Sequence, residues 1–250
     1  MYPELLHLGP VTVYSWGFML SLAVLIGVLG ARRLAKRVGI DPDRIVDFAL
    51  LVVVAGLVGA RLVHVLFVEW DYYFAHPLDI LNPYHQGLVF QGALLLGILA
   101  AFGFVRYFHL SFWNFSDVIA PFVALGYSVV RIGCFLAGCC YGRPTDLPWG
   151  VVFPALLDVP RHPTQLYSSL FGILLFFFLW WLFPRRTFPG QVFLSYLIVY
   201  SLGRILIENW RDNPLFLGPF TLAQVAGGAV FVVAAILYLR LRSRGPVGGE

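Results

Sequence analysis

Apolar positions along the chain gather in seven long runs separated by short polar segments. Four of the runs contain no charged residue and reach the roughly 20 residues that a helix needs to cross a bilayer. These four cover residues 11–31, 87–105, 163–184 and 215–239. The other three, at 48–60, 118–130 and 187–203, are long enough only if the helix continues through the following arginine, which is Arg61, Arg131 or Arg204. The pattern therefore predicts an all-α integral membrane bundle of seven transmembrane helices.

The composition agrees with a protein embedded in a membrane. Apolar residues make up 60% of the chain and charged residues 12%, and the mean hydropathy is +0.82. Soluble domains are nearer half apolar and a quarter charged. Because the seven runs occupy most of the 250 residues, we expect a single transmembrane domain over residues 1–250. No Lys or Arg precedes the first apolar run, which argues against a cleaved signal peptide.

Basic residues are divided unequally between the two ends of the predicted helices. Eleven of the 17 Lys and Arg residues fall on one side: Arg32, Arg33, Lys36, Arg37, Arg44, Arg106, Arg185, Arg186, Arg240, Arg242 and Arg244. Cytoplasmic loops of membrane proteins are enriched in Lys and Arg. We therefore expect the carboxyl terminus in the cytoplasm and the amino terminus outside. The net charge of +4 is explained by this topology, and no nucleic-acid partner is expected.

The three intramembrane arginines occur at matching positions in their helices. Each lies 14 residues beyond a residue near the helix start, counted from Asp47, Asp117 and Gly190. At 1.5 Å per residue this is about 21 Å, within the outer third of a hydrocarbon core about 30 Å thick. One such arginine could extend to the headgroups, but three at one level favour a shared site. Because guanidinium groups match phosphate oxygens, the pattern predicts that Arg61, Arg131 and Arg204 bind an anionic phospholipid.

Two further segments carry candidate site residues. Arg204, Glu208 and Arg211 are spaced to share one helical face, so Glu208 is predicted to orient or neutralise Arg204. A structural ion pair is compatible with that role. His162, in the segment RHPTQLY, is either a residue at the start of the fifth helix or a member of the site. The residues leave these alternatives open.

The segment RIGCFLAGCCYGRP contains all three cysteines of the chain, Cys134, Cys139 and Cys140. They are interpreted either as small packing residues or as a disulfide on the outer side, from Cys134 to Cys139 or Cys140. The disulfide requires the helix to break at Gly138. A metal site is favoured least, because the C-x4-C-C spacing lacks an obvious fourth ligand. No metal or other cofactor is expected, and the cysteines are not expected to be the core of catalysis.

Several segments, in order along the chain, resemble motifs of the prolipoprotein diacylglyceryl transferase family. GARLVHVLF resembles the family's GGRL segment, and RIGCFLAGCCYG resembles its signature RxGNFxNGExxG. RHPTQLY resembles HPSQLYE, and YSLGRILIENWRDNP resembles YGxxRFxxExxRxPD. WDYYFAHPLDI and GLVFQGALLLG resemble the Asp-Tyr and Asn-Pro stretch and the segment that contains the family's His-Gly-Gly. The resemblance covers essentially the whole chain.

The resemblance implies a specific reaction. The family transfers the sn-1,2-diacylglyceryl group of phosphatidylglycerol to the thiol of a lipobox cysteine in the signal peptide of a prolipoprotein. A thioether forms and glycerol 1-phosphate leaves. By this resemblance the protein lies in the bacterial inner membrane among membrane lipids, with its active site near the outer leaflet. The implied catalytic residues are Arg131, Tyr200, Arg204, Glu208 and His162, and the implied phosphate-binding residues are Arg61, Gln91, Arg131, Arg204 and Arg211.

The chain departs from the family pattern at several positions. Gln91 stands where the family has the histidine of His-Gly-Gly, and glutamine cannot accept a proton. Cys134, Ala137 and Cys139 replace two asparagines and a glutamate of the signature. An alternative function is therefore a non-catalytic phospholipid-binding or lipid-exporting membrane protein. A thiol redox enzyme is a third interpretation, but it predicts a CxxC pair and a quinone site, and neither is apparent.

Overall fold

A computed structural model describes residues 1–9, 11–81, 87–153 and 159–243 of the chain. Within these ranges, seven helices are long and apolar enough to cross a membrane, which confirms the predicted all-α fold. They are α1 (Ser15–Lys36), α2 (Pro42–Phe67), α4 (Phe90–Tyr107), α5 (Phe112–Leu136), α6 (Thr164–Leu182), α7 (Gln191–Glu208) and α8 (Leu222–Ser243), with a short helix α3 (Trp70–Ala75) between α2 and α4. As predicted, α2, α5 and α7 continue through Arg61, Arg131 and Arg204. The predicted orientation of the termini stays a prediction.

Two short antiparallel hairpins were not predicted from the sequence. Strand β1 (Glu4–Leu8) pairs with β2 (Val11–Tyr14), and β3 (Leu215–Leu217) pairs with β4 (Phe220–Thr221). Helix α1 therefore begins at Ser15 instead of residue 11, and α8 begins at Leu222 instead of residue 215. The uncharged runs include strand β2 and the whole second hairpin because hydropathy does not distinguish a strand from the first turn of a helix.

The chain forms two compact units. The smaller unit covers residues 35–115 and contains α2, α3 and α4. Helices α2 and α4 approach closely where Gly59 faces Gly92. A β-carbon on Gly59 would overlap the Gly92 carbonyl oxygen and lie 2.6 Å from the β-carbon of Leu96. Small residues of this kind allow the backbones of membrane helices to touch.

The larger unit covers residues 1–34 and 116–250, and a buried carboxylate connects two of its helices. Asp117, in α5, has no exposed surface. Its carboxylate oxygens accept hydrogen bonds from the backbone N–H groups of Gly190 and Phe193, both at 2.8 Å, at the start of α7. Arg186 Nε lies 3.8 Å from the same carboxylate. Asp117 thus satisfies N–H groups that the first turn of α7 cannot pair internally.

This contact sets the register of α5 against α7. Ten residues after Asp117 and Gly190, the rings of Tyr127 and Tyr200 meet edge to face, with centroids 5.3 Å apart. Because the two contacts are ten residues apart on both helices, α5 and α7 run parallel without a relative shift along their axes. Arg131 and Arg204, each four residues further on, therefore reach the same level. The equal spacing noted in the sequence thus has a physical cause in these two helices.

Replacing Asp117 by Ala is expected to lower the free energy of unfolding by about 3 kcal/mol, because Arg186 and two backbone N–H groups lose a buried partner. Thermal unfolding of the purified protein in detergent measures the loss. The matched control is Asp47→Ala, since the one side-chain interaction of Asp47 among the described residues is an exposed ion pair with Arg44 at 3.5 Å. Equal shifts for the two variants would contradict the assigned role of Asp117.

Candidate functional site

Helix α5 ends in a turn that reverses the chain next to Arg131. Gly138 adopts a left-handed conformation with φ +73°. Its N–H donates to the Phe135 carbonyl, and the N–H of Cys139 donates to the Cys134 carbonyl, both at 3.1 Å. This pair of hydrogen bonds is the Schellman pattern, which requires a residue such as glycine at the left-handed position. The helix break at Gly138, on which the disulfide interpretation depended, is therefore present.

The start of α6 fixes the chain after this turn. Gln165 Nε2 donates to the Cys139 carbonyl at 2.6 Å, and Thr164 Oγ1 donates to the Cys140 carbonyl at 3.0 Å. Both side chains are fully buried. Cys140 also has positive φ, at +63°, which is uncommon for a residue with a side chain. Buried hydrogen bonds from α6 thus hold Cys139 and Cys140 in a tight bend.

The bend brings the three cysteines together as free thiols. Their Sγ atoms all lie within 4.8 Å of one another, and we call this group the thiol cluster. Cys134 is buried and Cys139 is exposed. A packing role in the core therefore accounts for Cys134 but not for Cys139. Hydrogen bonds from Cys134 and Cys139, and then the positive charges of Arg211 and Arg131, lower the pKa of the Cys140 thiol. Hydrogen bonding with Cys134 and then Cys140 raises the pKa of Cys139.

Glu208, at the end of α7, is the centre of a buried polar network. Its carboxylate accepts hydrogen bonds from Arg204 Nη1, from Asn213 Nδ2 at 2.6 Å and from Thr221 Oγ1 at 3.0 Å. Arg211 Nε lies 3.8 Å away. The ion pair expected from the spacing of Arg204 and Glu208 is present, and it fixes the Arg204 guanidinium. A catalytic role for Glu208 stays a prediction.

Arg131 and Tyr200 are the remaining predicted site residues near the Glu208 network. The Arg131 guanidinium lies over the Tyr127 ring, 4.9 Å from its centroid, and no hydrogen bond or ion pair joins it to a residue in the described part of the chain. The Tyr200 hydroxyl interacts electrostatically with Arg131, Arg204 and Arg211. We call these three residues the arginine cluster. The structure therefore brings five predicted site residues of the larger unit together: Arg131, Tyr200, Arg204, Glu208 and Arg211.

His162 lies next to this group along the backbone, but its ring faces other residues. The N–H of Gly142 donates to the His162 carbonyl at 2.9 Å, and the N–H of Arg143 donates to the Trp210 carbonyl at 2.8 Å. The Nδ1 atom of His162 lies 3.2 Å from the Tyr167 hydroxyl. These contacts suit the interpretation of His162 as a residue at a helix start, and its catalytic role stays a prediction.

Arg61 and Gln91 belong to the smaller unit. Arg61 donates to three backbone carbonyls of the segment between α2 and α4: Asp79 at 2.8 Å, Ile80 at 3.1 Å and Gly87 at 3.4 Å. This role in holding a loop was missed from the sequence, because backbone acceptors leave no pattern of residue types. Gln91 lies exposed in the first turn of α4. Phosphate binding by either residue stays a prediction.

Four polar residues that support the site were not predicted from the sequence. Thr164, Gln165, Asn213 and Thr221 each donate a hydrogen bond to the turn after α5 or to Glu208. Thr164 and Gln165 lie in the segment RHPTQLY, separated from His162 by Pro163. Polar residues in the first turn of an apolar helix were the available signal for these two. Thr221 and Asn213 had no comparable signal, because only the fold brings them to Glu208.

Comparison with known proteins connects these segments to one family. The sequence model described as prolipoprotein diacylglyceryl transferase matches residues 3–240. The chain belongs to the prolipoprotein diacylglyceryl transferase family. The family-like segments RIGCFLAGCCYG, RHPTQLY and YSLGRILIENWRDNP meet in the larger unit, where Gly142 pairs with His162 and Arg211. Seven spans and membership in this family make the chain a multi-pass bacterial membrane protein.

Curated relatives carry one name, phosphatidylglycerol–prolipoprotein diacylglyceryl transferase. The protein of Thermosynechococcus vestitus is 38% identical over 249 residues, covering 96% of this chain and 92% of the relative. That of Synechococcus elongatus is 39% identical over 236 residues, covering 89% and 81%. That of Geobacillus kaustophilus is 37% identical over 250 residues, covering 96% and 92%. Membership in the transferase family thus extends over nearly the full length of the chain.

Replacing Gly142 by Ala is expected to disrupt the meeting of these segments. The new β-carbon would overlap the Trp210 carbonyl oxygen and lie 2.8 Å from both His162 Cβ and Thr164 Cγ2. We expect a loss of stability of about 1–3 kcal/mol, measured by thermal unfolding in detergent. The control is Gly103→Ala, since no described atom lies within 4 Å of its β-carbon position. A tolerated Gly142→Ala would mean that this close approach is not required.

Proposed function

We propose that this chain transfers the sn-1,2-diacylglyceryl group of phosphatidylglycerol to the thiol of a lipobox cysteine in the signal peptide of a prolipoprotein. The names of its full-length relatives support this reaction. In the structure, the supporting observation is the arginine cluster around Tyr200 at the ends of two membrane-spanning helices. A cluster of guanidinium groups at that place is suited to the phosphate of a membrane lipid.

The reaction develops negative charge on the leaving group, and the site must stabilise that charge. The substrate sulfur attacks the glycerol carbon, a C–S bond forms, and the C–O bond to phosphate breaks. Negative charge grows on the departing oxygen, and glycerol 1-phosphate leaves. Cationic groups already in place within a low-dielectric site stabilise such charge without reorganising. We assign this stabilisation to Arg131 and Arg204, and the Tyr200 hydroxyl donates a hydrogen bond to the same phosphate.

The two arginines are prepared for this role in different ways. The Glu208 carboxylate fixes Arg204, and Asn213 and Thr221 in turn fix Glu208. Arg131 stands over the Tyr127 ring, with its hydrogen-bond donors available to a phosphate. Arg211 adds positive charge beside both. Phosphate or glycerol binding by Arg61 and Gln91 stays a prediction, and Arg61 holds the loop after α2 within the smaller unit.

The acceptor thiol must also lose its proton. A free cysteine has a pKa near 8.5 and is mostly protonated at neutral pH. The arginine cluster favours the thiolate, because positive charge lowers the pKa of a nearby thiol. Gln91 cannot serve as the base. His162 is the proposed acceptor of the proton, through Nε2, since its Nδ1 faces Tyr167.

The reaction is proposed to occur at the outer leaflet of the bacterial inner membrane, with the carboxyl terminus in the cytoplasm. A Lys36→Cys variant, in a background with its three native cysteines replaced by serine, tests this topology. An impermeant thiol reagent is expected to label it only after the membrane is opened, because residue 36 belongs to the basic, cytoplasmic side. Labelling of intact cells at residue 36 would reverse the assigned orientation.

Purified protein, phosphatidylglycerol and a lipobox peptide are expected to yield the diacylglyceryl thioether and glycerol phosphate, both detected by mass spectrometry. A folded protein that binds phosphatidylglycerol and forms neither product would favour the lipid-binding alternative. That alternative draws its support from Gln91, which stands where the family resemblance places a histidine.

Arg131→Ala and Arg131→Lys are each expected to lower the rate of transfer by about 100-fold, because lysine supplies the charge without the planar fork. Arg240→Ala is the matched control, since Arg240 is exposed in the last turn of α8. Initial rates from the same mass-spectrometric assay provide the comparison. Full activity in Arg131→Lys would show that charge is sufficient and that the fork is not used.

A further inference from the structure

The thiol cluster has a geometry that neither packing nor a disulfide explains. Cys139 is exposed, so it does not fill the core, and a disulfide would join only two of the three sulfurs. All three sulfurs nevertheless converge to within 4.8 Å of one another. The convergence is built by the Schellman turn at Gly138, the positive φ of Cys140 and two buried hydrogen bonds from α6. Such an arrangement is what a three-ligand metal site requires.

We propose that Cys134, Cys139 and Cys140 bind one thiophilic d10 cation of the Zn²⁺ class, and that its open fourth position takes the thiol of the acceptor cysteine. The second half of this proposal rests on the proposed function. Spacing along the sequence favoured a metal least, because no fourth protein ligand was visible. The structure changes that judgement, since a site that activates a substrate needs three protein ligands and one open position.

The distances fit such an ion. Zinc–thiolate bonds of about 2.3 Å in tetrahedral geometry place the sulfurs about 3.8 Å apart. The three Sγ atoms must therefore approach by no more than about 1 Å from their present separations. Thiolate ligands select soft or borderline cations over Mg²⁺ and Ca²⁺. The exposed side of Cys139 leaves room for a ligand from outside the protein.

The surrounding charges favour the complex. Three thiolates and one divalent cation carry a net negative charge, which costs free energy in a low-dielectric site unless it is compensated. The positive charges of Arg131 and Arg211 act on the cluster and supply that compensation. Gln165 adds a second observation. It is fully buried beside Cys139, and its Oε1 has no hydrogen-bond partner within the described residues.

The site would serve the reaction at its nucleophilic step. The acceptor thiol coordinates the cation and loses its proton, which passes to Nε2 of His162 as in the proposed function, since a coordinated thiol is deprotonated. The bound thiolate attacks the glycerol carbon of phosphatidylglycerol. As the C–S bond forms, the C–O bond breaks, and the electron pair leaves with glycerol 1-phosphate beside the arginine cluster. The cation is neither oxidised nor reduced, so no further reactant is required.

Metal binding can be measured without reference to activity. The chain has only three cysteines, so thiol titration reports on this cluster alone, and the cysteine variants show how much of the bound metal it holds. Protein purified under reducing conditions, stripped with a chelator and reloaded with Zn²⁺ is expected to retain one ion per chain by mass spectrometry of the metal. Reloading with Co²⁺ is expected to give sulfur-to-metal charge-transfer absorption. Cys139→Ser and Cys140→Ser should each weaken Zn²⁺ binding by more than about 100-fold.

The matched control is Ser21→Ala, because within the described ranges the one partner of the Ser21 hydroxyl is the Gly17 carbonyl on its own helix. It should retain zinc like the unaltered protein. Stripped protein is expected to lose transfer activity about 100-fold and to regain it with Zn²⁺. Unfolding midpoints of both serine variants check that they remain folded.

Three results would decide against the metal site or its role, and a fourth would decide against the proposed function. Folded protein with three titratable thiols that does not retain Zn²⁺ overturns the site. A disulfide present in fully active protein also overturns it, because one thiol would remain for the metal. Equal activity of stripped and reloaded protein overturns the role in thiol activation while the site stands. Zinc-loaded protein that binds lipid and peptide but forms no thioether contradicts the proposed function instead.

Discussion

The buried carboxylate of Asp117 sets the relationship on which the larger unit depends. By accepting hydrogen bonds from the first turn of α7, it holds α5 and α7 in parallel and in step. The relative positions of the site side chains at the far ends of these two helices depend on that register. Tyr127 meets Tyr200, and Arg131 reaches the level of Arg204. A shift by one residue would rotate each side chain by about 100° around its helix and separate the two arginines.

A second buried carboxylate, Glu208, organises the same site from the other end of α7. It binds Arg204 and is itself held by Asn213 and Thr221. Burying this carboxylate without partners would cost several kcal/mol, so its network is necessary for its position. The result is a division of roles in which Arg204 is fixed by protein and Arg131 remains available to a phosphate. A transferase acting on a phospholipid needs both a rigid charge and an available one.

The backbone conformation of the turn after α5 brings the three cysteine thiols together. Gly138 ends the helix, Cys140 continues the reversal, and Thr164 and Gln165 hold the result from α6. The thiols of Cys139 and Cys140, five and six residues after Cys134 in the sequence, thereby come within 4.8 Å of the Cys134 thiol and of each other. The family resemblance points to polar side chains at two of these positions, so the thiols occupy a place beside the arginine cluster where chemistry is expected.

The sequence by itself determined the seven spans, their continuation through Arg61, Arg131 and Arg204, and the family. Hydropathy and short motifs depend on consecutive residues, so both can be recognised without the tertiary structure. It also indicated the ion pair of Arg204 with Glu208, which depends only on helical spacing. Tertiary structure decided the rest. The hairpins before α1 and α8 depend on strand pairing, Arg61 binds loop carbonyls that have no residue signature, and the thiol cluster exists only because α6 holds the turn after α5. These contacts join residues distant in sequence, and their partners are often backbone atoms, which every residue carries alike.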